Sequence, residues 1–302
     1  MEPRTVSVVI PCFNGSRFLG EALASAVAQT LQPIEIIVID DGSRPEERDH
    51  IARICAAAEP LCRAIHLPKN RGVCVARNIG IARARGTHIA FLDCDDTWVP
   101  EKLEKQVRFL ADHPDYRAVH SGLRVDYPNG RTLIAHKTEV KFEDLVEFPC
   151  PIFPSALVVD RDALFECGLF DPTKKVCEDL DLFLRFTSQY PIGCVDEPLV
   201  VRRIHDECAS RNLRAFHHDA DRVYRDFQYV FSDREAASST LAGIQSNFLA
   251  QALYARDPTL FWQVLRRATA PEVAAPKLVA RTLVNLVRNW RSRKAPNGQD
   301  DL

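Results

Sequence analysis

Short apolar runs rich in β-branched residues recur through the first third of the chain, each followed by a segment of helical periodicity. The runs are Val6–Ile10, Glu35–Ile39, Ala64–Leu67 and His88–Leu92; the helical segments between them are Arg17–Gln29, Glu46–Ala58 and Val73–Ala84. Strands this apolar must be covered on both faces, so the alternation constrains the chain to an α/β fold with a parallel sheet between helical layers. Polar residues gather directly after three of the strands: Cys12-Phe13-Asn14, Asp40-Asp41-Gly42-Ser43 and Asp93-Cys94-Asp95-Asp96. In open α/β sheets the ligand crevice lies outside the carboxyl ends of the strands, so these three loops are placed to converge.

The last of these loops is the most chemically pointed. Three carboxylates within four residues repel one another unless a cation or a donor-rich ligand sits among them. Hard divalent ions prefer oxygen ligands of this kind and share them with substrate phosphates. The competing reading is an acidic turn that caps the helix starting near Glu101.

Beyond Leu110 the pattern changes. Tyr116–Tyr127, Pro128-Asn129-Gly130 and Thr132–His136 read as a hairpin with an Asn-Gly turn. Ser155–Val159 is a further strand, and Glu178–Phe186 has helical spacing with an acidic start at the favourable end of the dipole. Ile192–Ile204 reads as one or two strands. From about Ala215 onward the patterns are helical, broken at Asp257-Pro258 and Pro271.

A chain of 302 residues has room for one large α/β domain and an appendage. Its formal net charge of −2 gives no global pull toward nucleic acid. The ten cysteines are scattered, with no C-x-x-C pair, and Cys12, Cys74 and Cys194 sit inside apolar runs as small hydrophobes. No signal sequence precedes the strand at Val6, which leads us to expect a reducing cytoplasm, at the inner face of the membrane if the acceptor is lipid-linked. No uncharged apolar run approaches the roughly 18–20 residues that a transmembrane helix needs.

Taken together, Val8-Val-Ile-Pro-Cys-Phe-Asn14, Ile36-Ile-Val-Ile-Asp-Asp-Gly-Ser43, Asn70-Arg-Gly72 with Ala76-Arg-Asn-Ile-Gly80, Phe91-Leu-Asp-Cys-Asp-Asp96 and Glu178-Asp179 resemble, in that order, a family 2 glycosyltransferase. The resemblance covers about residues 5–212. It implies a GT-A fold: a Rossmann-like, mostly parallel central sheet flanked by helices. Residues 1–213 then form the catalytic domain, with a nucleotide-binding half at about 1–112 and an acceptor-binding half at 113–213, and residues 214–302 a helical C-terminal extension. It also implies a nucleotide-diphosphate sugar as donor, most naturally UDP-linked, a divalent cation (Mn²⁺ or Mg²⁺) and an inverting displacement. The acceptor would be a hydroxyl of a saccharide or a lipid-linked sugar, in assembly of a cell-envelope or extracellular polysaccharide.

The roles follow by matching residues to the family's motifs. Phe13 offers a flat face to a pyrimidine, Asp40 and Asp41 accept from base or ribose, and Pro11 and Asn14 shape the loop. The plainer alternatives are that Phe13 is core and that Asp41-Gly42-Ser43 is a turn. Arg77 suits a diphosphate or base-site partner, since guanidinium pairs with phosphate in fork geometry. Asp95 and Asp96 are the implied metal ligands, Asp95 also adjoining the nucleotide, with Asp93 assisting. His205, in an H-x4-S pattern with Ser210, completes the metal or diphosphate shell. Asp179 matches the general base, Glu178 is the second candidate, and Asp181 is expected on the helix surface.

In the tail, Lys277–Lys294 carries six basic and no acidic residues, with Val279, Leu283, Leu286, Val287 and Trp290 on one helical face. Such a helix can lie on an anionic membrane; the alternative is packing on the catalytic domain. Two other functions compete. A sugar nucleotidyltransferase would need a Gly-rich phosphate loop with a basic residue, which Cys12–Ser16 lacks, and a catalytically silent nucleotide-sugar binder would have lost an acidic residue. A dinucleotide-binding reading fails because no G-x-G-x-x-G follows the first strand.

Overall fold

The computed structural model describes residues 4–147 and 152–205, together with six positions between 218 and 226. Contacts divide the chain into two units, 1–145 with 150–209, and 146–149 with 210–302. The nine-stranded sheet lies entirely within the first unit. The expected basic helix at 277–294, Ser210 and nearly all of the helical extension lie outside the described residues.

The first four strands are β1 (Val6–Cys12), β2 (Glu35–Asp40), β3 (Cys62–His66) and β4 (His88–Phe91). They are mutually parallel, in the order β3-β2-β1-β4, with Val8 opposite both Ile36 and Ala90. Every residue of β1, β2 and β4 is buried, as their apolar composition requires. Burying each Val or Ile contributes roughly 1.5–3 kcal/mol. Helix α1 (Ser16–Val27) covers the sheet with Leu19, Ala22, Leu23 and Ala26, one stripe at helical spacing. Helix α2 (Pro45–Ala56) starts with Pro at its first turn and Glu46 and Glu47 at the positive end of its dipole. Helix α3 (Val73–Arg83) lies so close to β1 that a Cβ at Gly80 would come within 2.3 Å of a Val9 methyl.

The second half is mixed. Strand β5 (Thr97–Trp98) precedes α4 (Lys102–Asp112), and β6 (Ala118–Asp126) and β7 (Thr132–Ala135) form the expected antiparallel hairpin. Helix α5 (Phe142–Glu147) and a 3₁₀ turn at Pro154–Ala156 lead to β8 (Val158–Asp160), a shorter strand than the sequence suggests. Then come α6 (Arg161–Glu166), capped by Asp160, α7 (Glu178–Thr187) and β9 (Ile192–Arg203). Strand β8 pairs antiparallel between β4 and β6, β6 runs parallel to β9, and β5 closes the edge antiparallel to β9.

From β1 the chain winds one way to β2 and β3, then returns to place β4 on the other side of β1. The strand order therefore reverses between β1 and β4, and beyond the carboxyl ends of such a pair open α/β sheets place their ligand crevice. The loops at 13–15, 41–44 and 92–96 all start there.

Candidate active site

The loop after β2 is built around two buried carboxylates. Asp40 accepts from the Ser43 backbone N–H (2.9 Å) and from Arg48 Nε (3.3 Å), and pairs with His66 Nδ1 (2.8 Å). Burial alone would raise its pKa, but donors from Ser43 and His66 outweigh it and hold the carboxyl below its usual range. Asp41 accepts the backbone N–H groups of Arg71 and Gly72, both at 2.8 Å, which ties this loop to the start of α3. Burial, reinforced by Asp40, leaves Asp41 above the usual range. Gly42 has φ of +71°, and a Cβ there would strike the Lys69 backbone at 2.2 Å, so the turn requires glycine.

Beside it, the loop after β1 leaves Phe13 49% exposed, so the core reading of this ring fails. Pro11 is buried within β1, opposite Ile39. Asn14 takes a left-handed φ of 50°, which Asn tolerates. Its N–H donates to Ser43 Oγ (2.9 Å) and its side-chain oxygen accepts from Arg44 N–H (3.0 Å), clasping the two loops together.

The acidic loop after β4 is held from behind by a scaffold with no local sequence signal. Trp98 Nε1 donates to the Ser155 carbonyl and Gln106 Nε2 to the Ala156 carbonyl, both at 2.8 Å, pinning the 3₁₀ turn. Gln106 accepts in turn from Lys102 Nζ (2.7 Å), a fully buried lysine 4.2 Å from the centre of the Trp98 ring, whose pKa burial pushes far down. Thus fixed, Ser155 Oγ accepts the Asp93 N–H at 3.0 Å and bonds Asp96. Asp96 is only 5% exposed. Burial, then the neighbouring charges of Asp93 and Asp95, push its carboxyl up to about 8.

The other predicted residues meet this loop from distant parts of the chain. His205 Nε2 lies 2.9 Å from Asp95, with its ring against Phe18. Arg77 is buried, with Nη2 2.7 Å from Asp93 and Nη1 2.9 Å from Glu178, the first residue of α7. Its guanidinium also faces the Phe170 ring at 5.2 Å. Burial opposes its charge, but the two carboxylates more than offset that and raise its pKa. Arg77 therefore bridges two protein carboxylates, where the sequence suggested a partner for phosphate or base. Asp179, partly buried, follows the buried Glu178 in the first turn of α7, and its own carboxylate accepts the Leu180 N–H at 2.7 Å. Asp181, expected on the surface, is 4% exposed and paired with Arg185 at 2.6 Å, because α7 is buried around most of its circumference.

Among the described residues no three carboxylate, imidazole or thiol groups enclose a metal position by themselves. The chemistry of the donor set is nevertheless of the kind a hard cation takes: carboxylate oxygens of Asp93, Asp95 and the buried Asp96 on one loop, beside an Asp95–His205 pair.

Comparison with known proteins bears on the fold and the family. The fold matches solved GT-A glycosyltransferases. Staphylococcus aureus TarS 1–349, in complex with UDP-GlcNAc, superposes with a TM-score of 0.70 at 15% identity, over 97% of this chain and 93% of that one. The mannosyltransferase PcManGT of Pyrobaculum calidifontis, in complex with GDP-Man and Mn²⁺, gives 0.58 at 18% identity, over 97% and 89%. The glycosyl transferase family 2 profile matches residues 7–166, and the chain belongs to that family. An uncharacterised glycosyltransferase of Rickettsia prowazekii is 32% identical over 210 residues, 66% of this chain and 64% of the relative. TuaG of Bacillus subtilis, assigned by name to teichuronic acid biosynthesis, is 36% identical over 107 residues, 35% of this chain and 42% of the relative. The chain thus spans less than two thirds of the length of these relatives. Among the described residues no helix is long and apolar enough to cross a membrane.

Proposed function

We propose that this glycosyltransferase moves a sugar, with inversion, from a nucleotide-diphosphate donor to a hydroxyl of a saccharide or glycolipid acceptor, and that the donor is UDP-linked. The observation that carries the reading is the ion-paired bridge from Asp93 through Arg77 to Glu178, which sets the acidic loop and the start of α7 on one rigid frame. The UDP-GlcNAc complex of TarS and the exposed Phe13 ring favour a pyrimidine donor. The name of TuaG favours a cell-envelope polysaccharide as the setting.

In this reading Phe13 stacks on the base, while Asp41 and Asn14 frame the ribose and Asp40 keeps that frame rigid. Asp95, Asp96 and His205 would hold a divalent cation, with Asp93 behind them. A bound Mn²⁺ or Mg²⁺ supplies charge neutralisation at the diphosphate. Asp179 takes the proton from the acceptor hydroxyl as its oxygen bonds to the anomeric carbon, and the bond from that carbon to the diphosphate oxygen breaks, releasing the nucleoside diphosphate. Glu178, fixed by Arg77, orients the sugar being transferred.

The test is metal-dependent turnover of a panel of nucleotide sugars by wild type, Asp96→Ala and Asp179→Asn. Asp96→Ala should lose metal-dependent donor binding. Asp179→Asn should bind donor normally yet transfer about 10²–10⁴-fold more slowly, the range for a lost general base. Equal turnover by all three proteins, or donor affinity indifferent to chelator, overturns the assignment.

A further inference from the structure

A lysine buried without a carboxylate is costly, and Lys102 is such a residue. Its side chain is fully buried, and among the described residues no carboxylate pairs with it. A methionine would fill much the same space without that cost. The amine, however, touches both pins of the turn at Pro154–Ala156. It donates to Gln106 Oε1 at 2.7 Å and lies 4.2 Å from the centre of the Trp98 ring. Gln106 Nε2 reaches the Ala156 carbonyl (2.8 Å) and the Val119 carbonyl of β6 (3.3 Å), and Trp98 Nε1 reaches the Ser155 carbonyl (2.8 Å). The spacing is local: Lys102 and Gln106 stack one turn apart at the start of α4, and Trp98 ends β5 four residues earlier.

Among the described residues no other donor meets the Gln106 oxygen. Without the amine that oxygen is buried and unsatisfied, and an amide that turns toward another donor gives up its bonds to the two carbonyls. The turn then loses a pin, and with it the placing of Ser155 Oγ, which accepts the Asp93 N–H at 3.0 Å and bonds the Asp96 carboxyl. We propose that Lys102 is a positioning residue, acting through Gln106, Trp98 and Ser155 on Asp93 and Asp96, and that it thereby sets the affinity of the acidic loop for a divalent cation. The inference rests on the glycosyl-transfer reading above, and within it on the cation at Asp95 and Asp96. Groups that orient metal ligands from outside the ligand shell change metal affinity by about 10–100-fold.

The experiment measures Mn²⁺ binding to the full chain in the presence of UDP, by electron paramagnetic resonance of the free ion, well below the melting temperature. Lys102→Met should stay folded yet bind Mn²⁺ about tenfold more weakly than wild type. Ser155→Ala, which cuts the last link, should lose at least as much. The Lys102→Met/Ser155→Ala variant should be no weaker than Ser155→Ala alone, because both changes act on one chain of contacts. Should Lys102→Met fail to fold, Lys102→Met/Gln106→Leu leaves neither side chain of the pair unsatisfied and must show the same loss. A shifted melting temperature with unchanged Mn²⁺ affinity would make Lys102 merely structural and overturns the proposal. So do losses that multiply in the Lys102→Met/Ser155→Ala variant, which would mean that the lysine acts by another route. Wild type that binds UDP but no Mn²⁺ overturns the metal assignment, and this inference with it. Wild type that binds neither overturns the glycosyl-transfer reading itself.

Discussion

Two loops of this molecule each carry adjacent aspartates at the mouth of a parallel strand, yet their electrostatics differ. After β2, Asp40 and Asp41 are met by three backbone N–H groups, Arg48 and His66, all supplied by the protein. After β4, Asp96 has the Ser155 hydroxyl and a weak pull from Arg202 against burial and two like charges, and its carboxyl sits at about 8. Asp40, whose lone pairs the protein fills, reads as architecture; on the proposed function, Asp96, buried with fewer donors than its charge demands, would be held ready for a cation that comes from outside.

The sharpest way to break this contrast is to neutralise one aspartate in each loop. Asp96→Asn should abolish metal-supported transfer, by about 10³-fold or more, while thermal melting at neutral pH stays at or above that of wild type, since a carboxyl whose ionisation is opposed by burial is replaced by a neutral amide. A melting point several degrees lower would place Asp96 among the structural carboxylates. Next in size is Arg77→Met, which leaves Asp93 and Glu178 facing each other without their cation. Removing one partner of a buried ion pair costs about 3–5 kcal/mol, readable by urea unfolding. Loss of activity with stability intact would mean that Arg77 contacts the donor instead.

Asp40→Asn should show the reverse of Asp96→Asn: a stability loss of about 1–3 kcal/mol with the chemical step little changed. Its pH dependence fixes the sign. The Asp40 carboxyl lies below its usual range in the folded protein, so its stabilisation is complete above the unfolded value near 4 and fades as pH falls through the lower native value. The acid limb of the melting curve should therefore flatten in the variant; an unchanged limb would deny Asp40 its structural role. The smallest effect is expected at Phe13, where truncation to Ala should weaken UDP binding about tenfold by loss of stacking, in the range of 1–3 kcal/mol per base. Unaltered affinity would remove the ring from the nucleotide site.

Much of this frame was legible in the sequence, because parallel strands declare themselves by continuous apolar runs and their loops by the polar clusters at the strand ends. The β1, β2 and β4 loops, the hairpin and α7 all lie where periodicity places them. What escaped was set by topology. The two-residue strand β5 exists because β9 lies beside it, and α6 follows from the Asp160 cap, a local signal that was there to be read. Ser155 and Arg202 carry no motif, since their proximity to Asp96 depends on β8 and β9 entering the sheet far from β4 in sequence. Likewise the bond from Arg77 to Glu178 spans 101 positions, so the arginine's family context suggested a ligand where the fold supplied a second carboxylate.

That bond has an evolutionary corollary. One guanidinium restrains a residue of the acidic loop and a residue beside the proposed base, so on the proposed function donor departure and proton removal would be tuned together. Variants at Asp93 and Glu178 should be epistatic, with the combined defect smaller than the product of the separate ones, and lineages that drift at either position should carry a compensating change at position 77.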